Sequence, residues 1–361
     1  MPKLDIIFSQ LATSLIERSE RGIAALIMRD DTNALFNYKL YKDITEVEND
    51  KALYTSTNYQ YIRDTFEPGT YEVAVIKIGT NEEENPISSA FSILNKNLQT
   101  AWTTICDGKS EEFSTLTTWI KSQEAAKKTF KAVVFKVATT DCKHVVNFYN
   151  DKVTFKDDRG EVTGEKYLAS LAGILASCNV TRGSTYYKCT NLESVEGVDD
   201  IDTELEKGHF VLFNDTDCVR IAQGINSMTT TDGQFNTEDM RYIETVEAMD
   251  IISDDISTVF KNDYLGNYKN KLDNQMLFVG SINGYFDDLG QSSILDDEYE
   301  NNAMIDVTAQ RKAWIARGKS EAKGWTDAQV RKNTLPRDLY LKGDIKILGS
   351  MTNLKFNISL F

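Results

Sequence analysis

The sequence predicts an α/β fold in its first half and a more helical α+β region after it, on three observations. Gly22 to Met28 (Gly-Ile-Ala-Ala-Leu-Ile-Met) is a continuous apolar run, the pattern of a strand buried on both faces. Strand-like and helix-like segments then alternate as far as Cys178, which argues for βαβ units and a mainly parallel sheet. Past an acidic stretch at 193–206 the pattern changes to a hairpin followed by long helical stripes. The expected organisation is an N-terminal arm at 1–20, an α/β domain at 21–200, an α+β core domain at 201–348 and a C-terminal strand arm at 349–361.

Each element follows from its local pattern. Tyr71 to Ile78 reads as a strand, and Asn85-Pro86 as a helix start with asparagine capping and proline in the first turn. Ala90, Phe91, Leu94 and Leu98 continue that helix at helical spacing. Trp102 to Cys106 is a strand, and Ser110 is placed to cap a helix carrying Phe113, Leu116 and Ile120. Phe130 to Val137 and His144 to Phe148 are strands, and Glu165 to Cys178 is a helix with Leu168, Leu171, Ala172 and Leu175 on one side. His209 to Phe213 and Cys218 to Ala222 flank Asn214-Asp215-Thr216-Asp217 as a hairpin. Two core helices follow, one striped by Ile243, Val246, Met249, Ile252, Ile256 and Val259. The other carries Met276, Val279, Ile282, Phe286 and Leu289. Val307 to Ala316 is a further helix, Thr326-x-x-Gln329 a capping box, and Leu339 to Leu348 a strand.

The two ends also alternate. Leu354, Phe356, Ile358 and Leu360 are separated by Lys355, Asn357 and Ser359, and Leu4, Ile6 and Phe8 by Asp5 and Ile7. Period-2 alternation is a strand with one buried face. Such ends either tuck into the edge of their own sheet or act as arms that pair outside their own domain.

Composition narrows the class. At 361 residues, 41% hydrophobic and 26% charged, the chain can bury two ordinary cores. No apolar run is long enough to span a bilayer, and the amino terminus lacks the apolar core of a signal peptide, so a soluble, non-exported protein is expected. Five widely spaced cysteines without a Cys-x-x-Cys fit buried thiols in a reducing compartment. A net charge of −15 argues against nucleic acid as a partner. The charge is uneven. Residues 311–346 carry ten Lys and Arg against Glu321, Asp327, Asp338 and Asp344, either a solvated basic face or a docking surface for an acidic protein.

Enzyme signatures are missing from the sequence. It contains no Gly-x-Gly-x-x-Gly, phosphate loop, His-Glu-x-x-His or Gly-x-Ser-x-Gly. Its two histidines, His144 and His209, border strands and read as structural, so no catalytic residue, metal ligand or cofactor is expected. The pairs Asp254/Asp255 and Asp287/Asp288 point about 100° apart on helices, which does not suit a shared acid–base site. Asp296-Asp297-Glu298-x-Glu300 lacks the glycine and the alternate spacing of an EF-hand loop and reads as a solvated acidic loop.

Several segments nevertheless resemble one family. Glu-Lys-Tyr-Leu-Ala-Ser-Leu-Ala-Gly-Ile-Leu-Ala (165–176), Gly-His-Phe-Val-Leu-Phe-Asn-Asp (208–215) and Val-Arg-Ile-Ala-Gln-Gly-Ile-Asn-Ser-Met-Thr (219–229) are similar to contractile tail sheath proteins. So are Glu-Ala-Met-Asp-Ile-Ile-Ser-Asp-Asp-Ile (247–256), Asn-Asp-Tyr-Leu-Gly-Asn-Tyr-Lys-Asn (262–270) and Asp-Val-Thr-Ala-Gln-Arg (306–311), closest to the short sheaths of defective prophages and tail-like bacteriocins. The similarity runs from about Arg18 to the end and is strongest over 165–311. Two departures stand out: Gln223 where the family usually has a basic residue, and Thr352-Asn353 where it often has an acidic pair.

The resemblance implies a non-enzymatic structural subunit with a subtilisin-like α/β domain and a C-terminal core domain facing an inner tube. It implies terminal arms that add strands to neighbouring subunits, with Leu4, Ile6 and Phe8 in one arm and Leu354, Phe356, Ile358 and Leu360 in the other. The implied partners are other copies in a helical polymer of sixfold rings, the inner tail tube protein, and baseplate and tail terminator proteins, with no nucleic acid and no membrane insertion. Assembly in the bacterial cytoplasm and residence in a phage tail or tail-like particle follow. Arg311, Lys312, Arg317, Lys319 and Lys323 are the tube-facing candidates.

The energetics suit arms of this kind. Burying Leu354, Phe356, Ile358 and Leu360 is worth about 6–12 kcal/mol, while ordering the backbone of 354–361 costs about 8–16 kcal/mol. The two nearly cancel, so one arm binds weakly alone and a lattice of arms binds strongly. A hydrolase on a subtilisin-like scaffold and a non-contractile filament protein are the alternatives.

Overall fold

The apolar run at the start of the chain forms the centre of a sheet. A computed structural model describes residues 22–358, apart from 179, 181, 234 and 235. Six strands come first: β1 (Ile23–Arg29), β2 (Tyr38–Tyr41), β3 (Glu72–Ile78), β4 (Trp102–Ile105), β5 (Lys131–Phe135) and β6 (Val145–Phe148). Three more, β7 (Lys152–Phe155), β8 (Glu161–Thr163) and β10 (Leu192–Val195), make a separate three-stranded antiparallel sheet. The short β9 (Lys188–Cys189) pairs instead with β13 (Cys218–Ile221), which also pairs with β12 (Leu212–Asp215). The two-residue strand β11 (His209–Phe210) joins the edge of the first sheet beside β6. That sheet has the order β11-β6-β5-β4-β1-β3-β2, parallel throughout except for β2 at its edge.

Period-2 geometry sorts the continuous apolar run onto two faces. Ala25 and Ile27 of β1, with Ala74 and Ile76 of β3, pack into one core cluster. Leu26 and Met28, with Val73 and Val75, pack into a second. Helices cover both faces: α1 (Ile44–Asn49), α2 (Ser56–Phe66), α3 (Ser88–Asn97), α4 (Ser110–Ala125) and α5 (Leu168–Ser177). Helix α5 is apolar all round, as a helix enclosed by protein must be, and Leu168 to Ala176 are all buried. It crosses α2 closely enough that a Cβ on Gly173 would overlap the Thr65 carbonyl. Thr65 and Thr70 hydroxyls donate to the Ala169 and Gly173 carbonyls, at 3.1 and 2.9 Å, so the close crossing leaves those polar groups bonded.

By internal contacts the chain divides at Glu247/Ala248 and again at Gly349/Ser350. One unit holds the sheets just described together with 350–358, and the other is Ala248–Gly349. The expected boundary at 200/201 divides the chain differently. The reason lies in pairing: β11 hydrogen-bonds to β6 in the large sheet, which ties residues beyond α6 (Ile201–Glu206) to the first unit.

The second unit is built around helices. Helix α7 (Ile243–Val259) runs into it and ends in a π-type turn, Phe260–Tyr264. Helix α8 (Leu272–Gln291) packs on β14 (Asn302–Ile305), which pairs antiparallel with β15 (Leu341–Asp344). The Tyr285 hydroxyl donates to the Asp255 carboxylate at 2.7 Å, both side chains being buried. Helix α9 (Val307–Ala316) and α10 (Asp327–Lys332) are joined through Gln310, whose buried amide donates to the carbonyls of Val330 and Asn333 at 2.6 and 3.0 Å. The capping box at the start of α10 forms as expected, Thr326 and Gln329 bonding reciprocally.

Several local expectations need correction. Asn85 does not cap α3, which begins at Ser88. The Asn85 carbonyl and that of Gly79 instead accept from Arg29 at 2.9 and 3.0 Å. Ser110 is the first residue of α4 rather than its cap, and the Glu112 carboxylate accepts from the Lys109 N–H. The hairpin is shorter than expected, with Thr216-Asp217 between β12 and β13, because His209 and Phe210 belong to the large sheet. Met276 is 49% exposed and is not part of the core stripe of α8, whereas Val279, Ile282, Phe286 and Leu289 are buried. The last strand within the second unit covers only Leu341–Asp344, not Leu339 to Leu348.

Candidate functional site

The carboxyl ends of β1 and β4, where the strand order reverses, are where open α/β sheets bind ligands. Here Arg29 ends β1, and its guanidinium bonds at 2.7 Å to Glu112 of α4, the helix after β4. A structural ion pair thus stands where a substrate would sit in an enzyme of this architecture. The two histidines are also engaged structurally. The His209 ring stacks on Tyr149 at 3.6 Å and 8° and bonds through Nδ1 to Glu204 at 2.5 Å. His144 is buried, and its Nδ1 lies 3.1 Å from Glu124 Oε2.

Glu124 sits at the end of α4 and gathers three partners. Cys142 Sγ lies 3.3 Å from the same oxygen, and Lys143 Nζ lies 3.4 Å from Oε1. The His144 hydrogen bond, aided by Lys143, outweighs burial and pulls the Glu124 carboxyl down to about 2. Burial, then the neighbouring Glu124 charge, pushes the Cys142 thiol up to about 12. The loop holding Cys142 and His144 is fixed from both sides. Asp141 accepts from the Thr229 and Thr230 N–H groups at 2.8 and 3.0 Å, and the Ser227 hydroxyl donates to the Cys142 carbonyl at 3.1 Å.

The expected arm residues fall in two groups. Leu4, Ile6, Phe8 and Leu360 lie outside the described residues. Leu354, Phe356 and Ile358 are 89, 75 and 71% exposed, in a segment that makes no ladder with any strand among the described residues. The segment is anchored at its root, where Glu244 of α7 accepts from the Ser350 N–H and hydroxyl at 2.8 and 2.6 Å. Just beyond, Thr352 and Asn353 line a cleft of about 570 Å³ with Gln223, Tyr186 and Asp200. The two positions where this chain departs from the sheath pattern therefore face one space.

The five basic candidates are not equivalent. Arg311 is largely consumed within its own unit: it donates to the Ala322 carbonyl at 3.2 Å, to the Trp325 carbonyl and to Asp327 at 2.7 Å. Arg317 pairs with Asp338 at 2.5 Å, and Lys319 lies 5.6 Å over the Trp314 ring and 3.6 Å from Glu321. Lys312 and Lys323 are exposed. Residues 311–323 thus form a partly neutralised surface rather than a row of five bare cations.

Comparison with known proteins shows where this fold recurs. Residues 236–361 match the model of the phage tail sheath C-terminal domain. The tail sheath protein of Clostridium phage phiCD119 is 26% identical over 99% of this chain and 98% of its own length. Among solved structures, the sheath tail protein from Listeria innocua aligns with a TM-score of 0.68 at 14% identity, over 95% of this chain and 99% of that one. The contracted helical sheath of the anti-feeding prophage aligns with a TM-score of 0.69 at 10% identity, over 94% and 93%. The chain is thus similar over nearly its whole length to a tail sheath protein, shares the fold of solved sheath proteins, and its last third matches their C-terminal domain. These relatives and neighbours are structural tail sheath proteins and not enzymes, which supports a structural sheath subunit over the hydrolase alternative. No helix among the described residues is long and apolar enough to cross a membrane.

Proposed function

We propose that the chain polymerises helically around an inner tail tube through strand exchange, and that contraction of this polymer drives the tube through a target envelope. The observation that carries the reading is the exposed alternation of Leu354, Phe356 and Ile358 beyond the Ser350 anchor. Three large apolar side chains, alternating with polar ones, are left exposed among the described residues. Strand addition to a neighbour's sheet edge would satisfy the backbone and bury those side chains together. Leu4, Ile6 and Phe8 would do the same at the other end, and Leu360 would extend the C-terminal arm.

In this reading the sheet-bearing unit is the subtilisin-like half, without its chemistry. Copies stack as sixfold rings joined by the arms, and contraction moves subunits as rigid bodies about those arms without nucleotide. The second unit faces the tube, with Lys312 and Lys323 as its freest cations and Arg317 and Lys319 beside them. Arg311 holds that surface in shape. Baseplate and tail terminator proteins close the ends of a polymer assembled in the bacterial cytoplasm.

Deleting residues 354–361 tests this directly. A folded, soluble chain that no longer forms tubes in negative-stain images supports strand exchange, and normal tubes from the truncated chain would refute it. A single lattice state under all conditions would favour a non-contractile filament.

A further inference from the structure

The geometry points to a zinc-type divalent metal site formed by Glu124, Cys142 and His144. Their donor atoms, Oε2, Sγ and Nδ1, all lie within 4.8 Å of one another. The two shorter edges are 3.1 and 3.3 Å. Zinc takes sulfur at about 2.3 Å and nitrogen or oxygen at about 2.0–2.1 Å, so tetrahedral angles place such donors about 3.3–3.6 Å apart. The two edges at Glu124 therefore need to open by only a few tenths of an ångström, and the sulfur–nitrogen edge, which lies within 4.8 Å, to settle at a similar length, for the trio to close around an ion.

The surroundings fit a cation. Glu124 lies in the last turn of α4, where the helix carbonyls present the negative end of the macrodipole. Cys142 and His144 are held on a loop pinned by Asp141 to Thr229 and Thr230 and by Ser227 to the Cys142 backbone. Lys143 takes the other Glu124 oxygen, which leaves Oε2 turned to the sulfur and nitrogen. Cys142 and His144 are only 5 and 3% exposed, whereas Glu124 is partly open, so water can complete the fourth corner from its side. The set is one sulfur, one nitrogen and one oxygen. It suits Zn(II) or Co(II) rather than Ca²⁺ or Mg²⁺, which prefer oxygen ligands throughout.

Binding forms a metal–sulfur bond and releases the thiol proton of Cys142 to solvent, so affinity rises with pH. The bound ion would join the end of α4 to the loop before β6, cross-linking helix to sheet. That role is independent of polymerisation.

Cobalt titration of the full chain tests the site. The expected result is one ion per chain, with a near-ultraviolet sulfur-to-cobalt charge-transfer band that Cys142→Ser abolishes while far-ultraviolet circular dichroism stays unchanged. X-ray absorption of the zinc-loaded wild-type chain gives a second readout that needs no variant, and sulfur in the first shell is expected. Failure to bind, a shell of nitrogen and oxygen alone, or a cobalt–sulfur band that survives Cys142→Ser would each overturn the assignment.

Discussion

Glu244 accepts both the backbone N–H and the hydroxyl of Ser350, although 106 residues separate them. This bidentate contact fixes the point from which the exposed C-terminal segment departs. Ser350→Ala removes one of the two bonds and costs about 1 kcal/mol or less at this exposed position. Glu244→Ala removes both. Hydrogen exchange over 350–353 is expected to quicken in the order wild type, Ser350→Ala, Glu244→Ala, with the global unfolding midpoint little changed. Gly183→Ala should act in the same direction with both partners retained, because a Cβ there overlaps Glu244 Oε2 and pushes the flexible carboxylate aside.

Phe356 is 75% exposed, so Phe356→Asp leaves the isolated chain as stable as wild type, within about 0.5 kcal/mol. If its ring is buried in the polymer at about 1.5–3 kcal/mol, the concentration needed to form tubes rises about tenfold or more. Sedimentation of assembled from free chain measures both effects in one series.

Gly173 offers the opposite case. A Cβ at this position meets the Thr65 backbone, which cannot swing away as a side chain can. Gly173→Ala forces α5 from α2 and should cost about 2–3 kcal/mol in denaturant unfolding.

Tyr285→Phe removes the hydroxyl that donates to the buried Asp255 carboxylate. Hydrogen bonds to charged groups are worth about 1.5–3 kcal/mol, and a loss of that size is expected in the unfolding of Ala248–Gly349. An unchanged midpoint would show that the carboxylate is satisfied without the tyrosine.

Glu204 is held below its ordinary value of 4.5 by hydrogen bonds from Lys207 first and His209 second. A depressed carboxyl stabilises the fold at pH above its unfolded value, and the contribution is lost as pH falls through the folded value. Glu204→Gln should therefore be less stable than wild type near neutral pH, with the difference shrinking below about pH 4. Urea midpoints measured across that range provide the check.

Much of the sheet was legible because burial on both faces forces an apolar run, as in Ile23–Arg29, and helices such as Val307–Ala316 carry their own start signals. Caps proved harder. Asn85 and Ser110 have the right chemistry, but Arg29 draws the Asn85 carbonyl, and Glu112 satisfies the turn that Ser110 was expected to close. Such outcomes depend on long-range partners that no local window contains. The same holds for the candidate sites. Cys142 and His144 stand two apart in the sequence, a visible hint, yet Glu124 reaches them only through the packing of α4. The Glu244–Ser350 contact left no local trace. The alternation at 354–358 was readable, whereas its exposure depends on which strands this chain's own sheets leave it to pair with.

The bare side chains of Leu354, Phe356 and Ile358 also set a thermal sign for the particle. Transfer of apolar surface out of water is entropic near room temperature and lowers the heat capacity. An assembly that buries these three residues is therefore favoured by warming, and chilled subunits should drift back toward the free form. Calorimetry of polymerisation would register this as a negative heat-capacity change that scales with the number of subunits joined.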